Sequence, residues 1–275
     1  MKQIADILND LSSENSELSV EIASSLKHHK QAAVEADDQT QAKYLWCLEQ
    51  IYVIKKHYLD AFSMMRSKNY SSAWRELDYA DNHLYNLTRH FDISKNEFHL
   101  LFVSNTLKNM QRLYPYIWFT SREGIIKKAR CTVCNKVVSI RKGCGHVVGD
   151  IYNGEMCCRT VEDYELLRIS FVKNPADKYT VLRPKDMEYN YEMLEMLMGH
   201  IKKPYEEWDL VITKTLKPEY QGVRGSLQCP CGSGKKYKKC CLLTGENLMD
   251  HYQLCFKNVS QTFFTPMKMV STWKE

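Results

Sequence analysis

Cys229 and Cys231 are separated by one residue, eight more intervene, and Cys240 and Cys241 then stand side by side in the string CPCGSGKKYKKCC. Four thiolates brought to tetrahedral corners about 2.3 Å from a common centre make a zinc site. Pro230 stiffens the first pair, and Gly232-Ser233-Gly234 permits a tight turn that folds the chain back over the metal. Ser233 then caps a short helix that carries Cys240 and Cys241 to the site. With all four corners taken by sulfur, no position is left for an activated water, so the expected role is structural.

A second set of ligands lies upstream, in CTVCNKVVSIRKGCGHVVGDIYNGEMCC at residues 131–158. Cys131 and Cys134 have the spacing of a zinc knuckle, and Cys144, His146 and Cys157 compete for the two remaining corners. The preferred set is Cys131, Cys134, Cys144 and His146, with Gly145 curling the backbone so that both flanking ligands face one ion; Cys157 is the reserve. Two zinc ions are therefore expected. Asp150 and Glu155 stand near enough in sequence to serve a hydrolytic zinc, but H-E-x-x-H is absent and the zinc-deaminase order is reversed, because the C-x-x-C comes first. Arg141 and His146 form an R-x4-H string of the kind used by helical ribonucleases, which is a coincidence if the metal claims the histidine.

Eleven cysteines, eight of them in two metal-like groups, suit a reducing compartment better than a secreted disulfide scaffold. Cys47, Cys158 and Cys255 are left over as small hydrophobes. The N-terminal residues are amphipathic and polar, without the apolar core of a secretion signal, and no run of 18 apolar residues occurs. The expectation is a cytoplasmic protein without membrane contact. The formal net charge of +5 falls to about +2 once the two clusters are counted as metal thiolates, so global charge does not select nucleic acid as a partner. A local basic face, Lys127, Lys128, Arg130, Lys136, Arg141 and Lys142, keeps nucleic acid as the alternative.

The elements that must position these ligands read as α+β. Ile4, Ile7, Leu8 and Leu11, then Leu18, Ile22 and Leu26, step along one helical face. Residues 28–40 are polar and read as a loop. Helices follow over residues 41–67 and 71–90, broken at Lys68-Asn69, and a further helix starts at a capping box of Ser94 with Glu97 and stops before Pro115. The hairpin around residues 67–70 has a tetratricopeptide-like look, but no second copy recurs at a fixed period, so an antiparallel helical bundle over residues 1–115 is expected. Residues 116–186 turn to short β-like runs around the first cluster: 116–123, 136–141, 146–152, 167–172 and 181–182. A connector over 187–221 holds a helix at 187–202 and a strand at 208–215, the finger occupies 222–243, and a helical tail fills 244–275.

The C-terminal string resembles the SEC-C motif, the zinc module at the C-terminal end of the SecA preprotein-translocase ATPase that recurs in many unrelated bacterial proteins. Cys229, Cys231, Cys240 and Cys241 fall on its ligand positions, and Gly232, Ser233, Gly234 and the lysines on its turn and basic helix. Arg224-Gly225 stands where Arg-Asn is common, and Cys241 where the motif often has His. The chain has no G-x-x-x-x-G-K-[ST] phosphate loop, so the module is shared and the motor is not. In the translocase the module engages the acidic chaperone SecB and ribosomes, which implies a docking patch of Lys235, Lys236, Lys238 and Lys239; the same lysines would offset the charge of a zinc tetrathiolate. The first cluster, through Cys144, His146, Gly149, Tyr152, Gly154 and Cys157 and then Ser170-Phe171-Val172 and Pro175-Ala176, is similar to a small zinc-and-β segment of bacterial and tailed-phage proteins, which implies no defined activity. The leading expectation is a non-enzymatic bacterial adaptor for a protein partner; an effector or hydrolase in a phage-related setting ranks below the nucleic-acid alternative.

Overall fold

Apolar residues repeat at three- and four-residue spacing through residues 39–66, and the chain answers with one long helix. In the computed structural model, which describes residues 2–10, 20–256, 265–267 and 273, this is α3 (Gln39–Arg66), preceded by α1 (Lys2–Asn9) and α2 (Val20–Glu35) and followed by α4 (Tyr70–Leu87) and α5 (Leu100–Arg112). Mixed helix and sheet continues with β1 (Phe119–Cys131), β2 (Val137–Val138), β3 (Ile151–Tyr152), β4 (Glu155–Met156), β5 (Arg159–Val172), α6 (Glu192–His200), β6 (Trp208–Leu216), α7 (Cys241–Thr244), β7 (Leu248–Phe256) and β8 (Thr265–Met267). The chain divides into two compact units, Met1–Met198 and Gly199–Glu275. Among the described residues no helix is long and apolar enough to cross a membrane.

In the first unit α3 is buried along most of its length, Leu45, Leu48, Ile51, Ile54 and Met65 being almost wholly enclosed. It turns into α4 through residues 67–69, where Lys68 takes a positive φ of 62° and Asn69 Oδ1 accepts from Ser72 N at 3.4 Å. Gln50 meets His83 at 2.7 Å and His57 meets Glu76 at 2.6 Å, so the two helices run in opposite directions. The expected loop at residues 28–40 is mostly helix: α2 continues to Glu35, and a short turn precedes Asp38, whose Oδ1 caps α3 by accepting from Gln41 N at 2.9 Å. Lys30 and Ala33 continue the inward stripe of Ile22 and Leu26; the charge on Lys30 disguised it. Leu11 and Leu18 lie outside the described residues.

The expected capping box at Ser94 and Glu97 does not start α5. Asn96, Phe98 and His99 adopt positive φ, which interrupts the helix, and Asn96 Oδ1 accepts from Leu101 N at 3.1 Å and Phe102 N at 3.2 Å. Beyond α5 an aromatic cluster of Trp74, Tyr114, Tyr116 and Phe119 packs at centroid distances of 4.8–6.3 Å. Trp74 Nε1 also donates to Lys178 O at 2.8 Å. These aromatics pack against one another as core residues.

β1 and β5 form a long antiparallel ribbon, with β2 on the outer side of β1. It is longer than the short runs expected at residues 116–123 and 167–172, because pairing to Cys131↔Arg159 extends it to the metal ligands. Of the other runs, 136–141 and 146–152 shrink to β2 and β3, and Val181 makes a bridge to Phe119. Three register shifts interrupt the ribbon.

The second unit is built on β6, β7 and β8 in that order. Here the segments flanking the finger expected at residues 222–243 belong to one sheet. β6 and β7 pair from Trp208↔Phe256 to Leu216↔Leu248, so the cysteine string is an excursion between two partners of one sheet. The tail expected to be helical begins as a strand: Leu254 and Phe256 are buried at period two, the spacing of a pleated strand and not of a helix. The rest of that tail lies largely outside the described residues.

Candidate metal centres

In the first unit β1 delivers Cys131 and then turns at once. Asn135, at φ 57°, donates its N–H to Cys131 O at 2.9 Å, while Cys131 N donates to Lys136 O at 3.0 Å. That turn brings Cys134 back beside Cys131. Gly145 takes a φ of 94°, the curl that lets Cys144 and His146 face the same point. The ligand atoms of Cys131, Cys134, Cys144 and His146 all lie within 4.8 Å of one another. His146 Nδ1 stands 3.7 Å from both Cys131 Sγ and Cys144 Sγ. A tetrahedral ion at about 2.3 Å from sulfur and about 2.05 Å from nitrogen would set that edge at about 3.6 Å. The residues fit a metal of zinc type.

Cys157 is buried with its Sγ 3.8 Å from Cys131 Sγ, yet it is not in the mutually close group. It lies against the cluster with Ala129 and Val138. Its backbone holds the loop, donating to Asp150 O at 2.8 Å and accepting from Gly149 N at 2.8 Å. Cys158 works the same way through Thr132, its N–H donating to Thr132 Oγ1 at 2.8 Å. Neither carboxylate suggested as a base joins the ligands, and Glu155 instead accepts from Lys30 Nζ at 2.6 Å. Arg141 lines a groove whose lining does not include His146.

Several contributors had no signal in the cysteine spacing. The ring of Tyr152 meets His146 edge-on at 4.8 Å, and its hydroxyl accepts from Val147 N at 3.1 Å. The loop is fastened to the helices by Lys30, which bridges Glu49 at 2.5 Å and Glu155 at 2.6 Å, by Gln39, which exchanges two bonds with Asn153, and by His90, whose ring nitrogen contacts Gly149 O at 2.7 Å. A Cβ at Gly149 would fall 1.5 Å from Arg89 Nη1, so only glycine admits that contact.

In the second unit Cys229, Cys231, Cys240 and Cys241 also lie within 4.8 Å of one another. Cys240 Sγ is 3.6 Å from Cys231 Sγ and 3.9 Å from Cys241 Sγ, close to the edge of about 3.8 Å that a tetrathiolate zinc requires. Gly232 and Gly234 both take positive φ, as the turn demands. Ser233 does not cap a helix. Its Oγ sits 3.2 Å from Cys231 Sγ and 3.1 Å from Cys240 Sγ, where a hydroxyl can donate to sulfur. Tyr220 donates to Cys241 Sγ at 3.3 Å, Tyr237 packs on Tyr220 at 5.4 Å, and Asn247 Nδ2 donates to the Tyr237 hydroxyl at 2.7 Å. Tyr220, Cys229, Tyr237 and Cys241 make a small core of their own.

The electrostatics of both groups call for a cation. The Ser233 hydroxyl draws the Cys231 thiol down to about 6, and the Cys134 backbone N–H draws Cys131 down to about 6. At Cys241 the Tyr220 hydroxyl pulls the same way, but burial and the neighbouring sulfurs prevail and push it up to about 12. Once the first thiolates form, like charge opposes the rest, and a shared cation would let the three thiols of the first group or the four of the second ionise together. Cys47, buried in α3, is pushed up to about 11 by burial and is an inert packing residue.

Of the six cations in the alternative nucleic-acid face, Lys127 pairs with Glu165 at 2.8 Å, and Lys128 and Arg130 share Glu162 at 2.7 and 2.6 Å. Lys235, Lys236, Lys238 and Lys239 are all exposed, and none forms an ion pair among the described residues.

A closed four-sulfur centre on a glycine turn defines a class of small metal-held modules, and the comparison with known families agrees. The model of the SEC-C motif matches residues 226–243. No curated protein and no solved structure matches the chain.

Proposed function

We propose that this chain is a cytoplasmic, non-enzymatic bacterial adaptor that holds one zinc ion in each cluster and presents Lys235, Lys236, Lys238 and Lys239 to an acidic protein surface. The observation that carries the reading is that both ligand groups close with four sulfur or imidazole donors at tetrahedral spacing and with no carboxylate among them, a donor set suited to a structural ion and poor for generating hydroxide. The four lysines favour docking because they are exposed and unpaired among the described residues. The nucleic-acid alternative is weakened by the ion pairs that already engage three of its six cations.

Elemental analysis of protein purified without added metal tests the first half, with two zinc per chain expected and one or none against it. For the second half, partners captured from a cell extract by the intact chain are compared with those captured by a chain in which the four lysines are glutamate. Loss of an acidic protein from the captured set, with zinc content unchanged, supports the reading. An identical set from both chains refutes the lysine patch as the docking surface.

A further inference from the structure

The ribbon of β1 and β5 has two unlike faces. Residues directly opposite in an antiparallel pair share a face. Lys127 with Glu165, Lys128 and Arg130 with Glu162, and Arg168 with Glu123 place four ion pairs on one side. On the other side the register sets Ile126 opposite Tyr164, Gly124 opposite Leu166 and Ala129 opposite Val161, and the extra residue at the Glu123/Gly124 shift adds Leu167 beside Leu166. Ile169 and Phe171 continue this face toward the base. The Tyr164 ring lies over Gly124, where a Cβ would come within 2.3 Å of it.

Ile126, Tyr164, Leu166, Leu167, Ile169 and Phe171 are 43–66% exposed. At roughly 200 Å² for a fully exposed side chain of this size they present roughly 700 Å² of apolar surface, beyond the usual largest patch of a monomer and near the ~800 Å² that each partner contributes to a standard interface. The face carries no carboxylate: Glu123, Glu162 and Glu165 are engaged in ion pairs on the opposite side, and Asp163 lies opposite Lys128 on that side. Arg122 on β1 near the base and Arg159 on β5 near the knuckle stand at opposite corners, and Lys127 and Arg141 also line the groove at the knuckle end.

We propose that this face packs against the same face of a second copy of the chain, the ribbons antiparallel about a two-fold axis, with β5 over β5 and β1 over β1. That arrangement puts the Arg122 and Arg159 guanidiniums of the two copies at four different corners of the stacked ribbons. It also sets Phe171 of each copy over the knuckle end of the other ribbon. There Gly124, Ile126, Ala129, Val138, Ile140 and Val161 line an open groove of 660 Å³, into which an aromatic ring fits. Ile140, 99% exposed, would gain cover from the same contact. Two ribbon faces stacked in this way make a two-layer sandwich with an isologous interface.

Sedimentation of the full zinc-loaded chain should give a mass twice 32.3 kDa at about 10 µM and above. Ile169→Glu should leave a monomer up to about 100 µM, Phe171→Ala should weaken the dimer at least about tenfold, and Ser170→Glu, on the ion-paired face, should leave it unchanged. Zinc content and circular dichroism confirm that each variant is folded; should Ile169→Glu fail that check, Leu167→Ser takes its place. A wild-type monomer at about 100 µM overturns the proposal whatever else covers the face. So does a dimer that survives both Ile169→Glu and Phe171→Ala, or one that Ser170→Glu disrupts as strongly.

Discussion

The two candidate metal centres solve one coordination problem in different surroundings. The first is embedded: its loop is fastened to the helices by Lys30, Gln39, Arg89 and His90, beyond a small core of Ala129, Val138 and Cys157 packed on Cys131. The second is an excursion between β6 and β7, and its core consists of two tyrosines and two of the ligands, with Leu216 and Val223 against them and no ion pair of the kind Lys30 supplies to fasten it among the described residues. A site with neighbours to lean on keeps part of its shape without metal; a site that is its own core does not. Metal-binding free energy is then folding free energy chiefly in the second.

The largest effect should follow metal removal. Apparent zinc-binding energies of about 10–16 kcal/mol in small finger modules imply that a strong chelator, or Cys240→Ser, abolishes amide protection at Cys229 and Tyr237, whose N–H groups bond to Lys235 O and Leu227 O. The amides of α3 and α4 should stay protected under the same treatment. Equal loss in both places, followed by hydrogen exchange, would erase the distinction.

Next comes the choice of fourth ligand. Cys144→Ser should lower zinc from two ions per chain to one, whereas Cys157→Ser should retain both, since Cys157 lies outside the mutually close group. Elemental analysis decides, and the reverse result would exchange their roles.

The fastening itself can then be cut. Lys30→Met leaves the largely buried Glu49 without its cation and should cost about 2–3 kcal/mol, less than a fully buried pair because Glu155 is exposed. The expected outcome is a lower melting temperature of the first unit with two zinc ions retained; loss of zinc would show that fastening and ligation are inseparable.

The smallest effect concerns pH. Lys55, enclosed in α3 and donating to Leu8 O, is lowered to about 8 by burial. Its folded value lies below the unfolded one near 10.4, so this group weakens the fold wherever it must be charged, and the penalty fades as pH rises from about 8 toward 10.4. Between pH 8 and 10 the first unit should gain on the order of 1–2 kcal/mol relative to Lys55→Met, measured by urea denaturation. A gain in the second unit instead would contradict the assignment.

Both candidate metal clusters were legible in the residue types and spacings, because a knuckle and a glycine turn bring ligands together through local backbone geometry alone. The helices at residues 39–66 and 70–87 were equally legible, since their apolar stripes are long and their break at Lys68-Asn69 is a positive-φ turn. What the linear pattern missed involved partners distant in sequence. Lys30 looks like a loop residue until Glu49 and Glu155 close on it, and Asn96 takes the cap from Ser94 because the chain there has left the helical region. Tyr220 and Asn247 join the second centre only once β6 and β7 pair, and that pairing is also why the expected helical tail begins as a strand. Sequence alone thus determined which atoms can hold metal, a matter of local chemistry. Tertiary structure decided what surrounds them and which face of the ribbon is left bare, because burial and strand register depend on segments far apart in the chain.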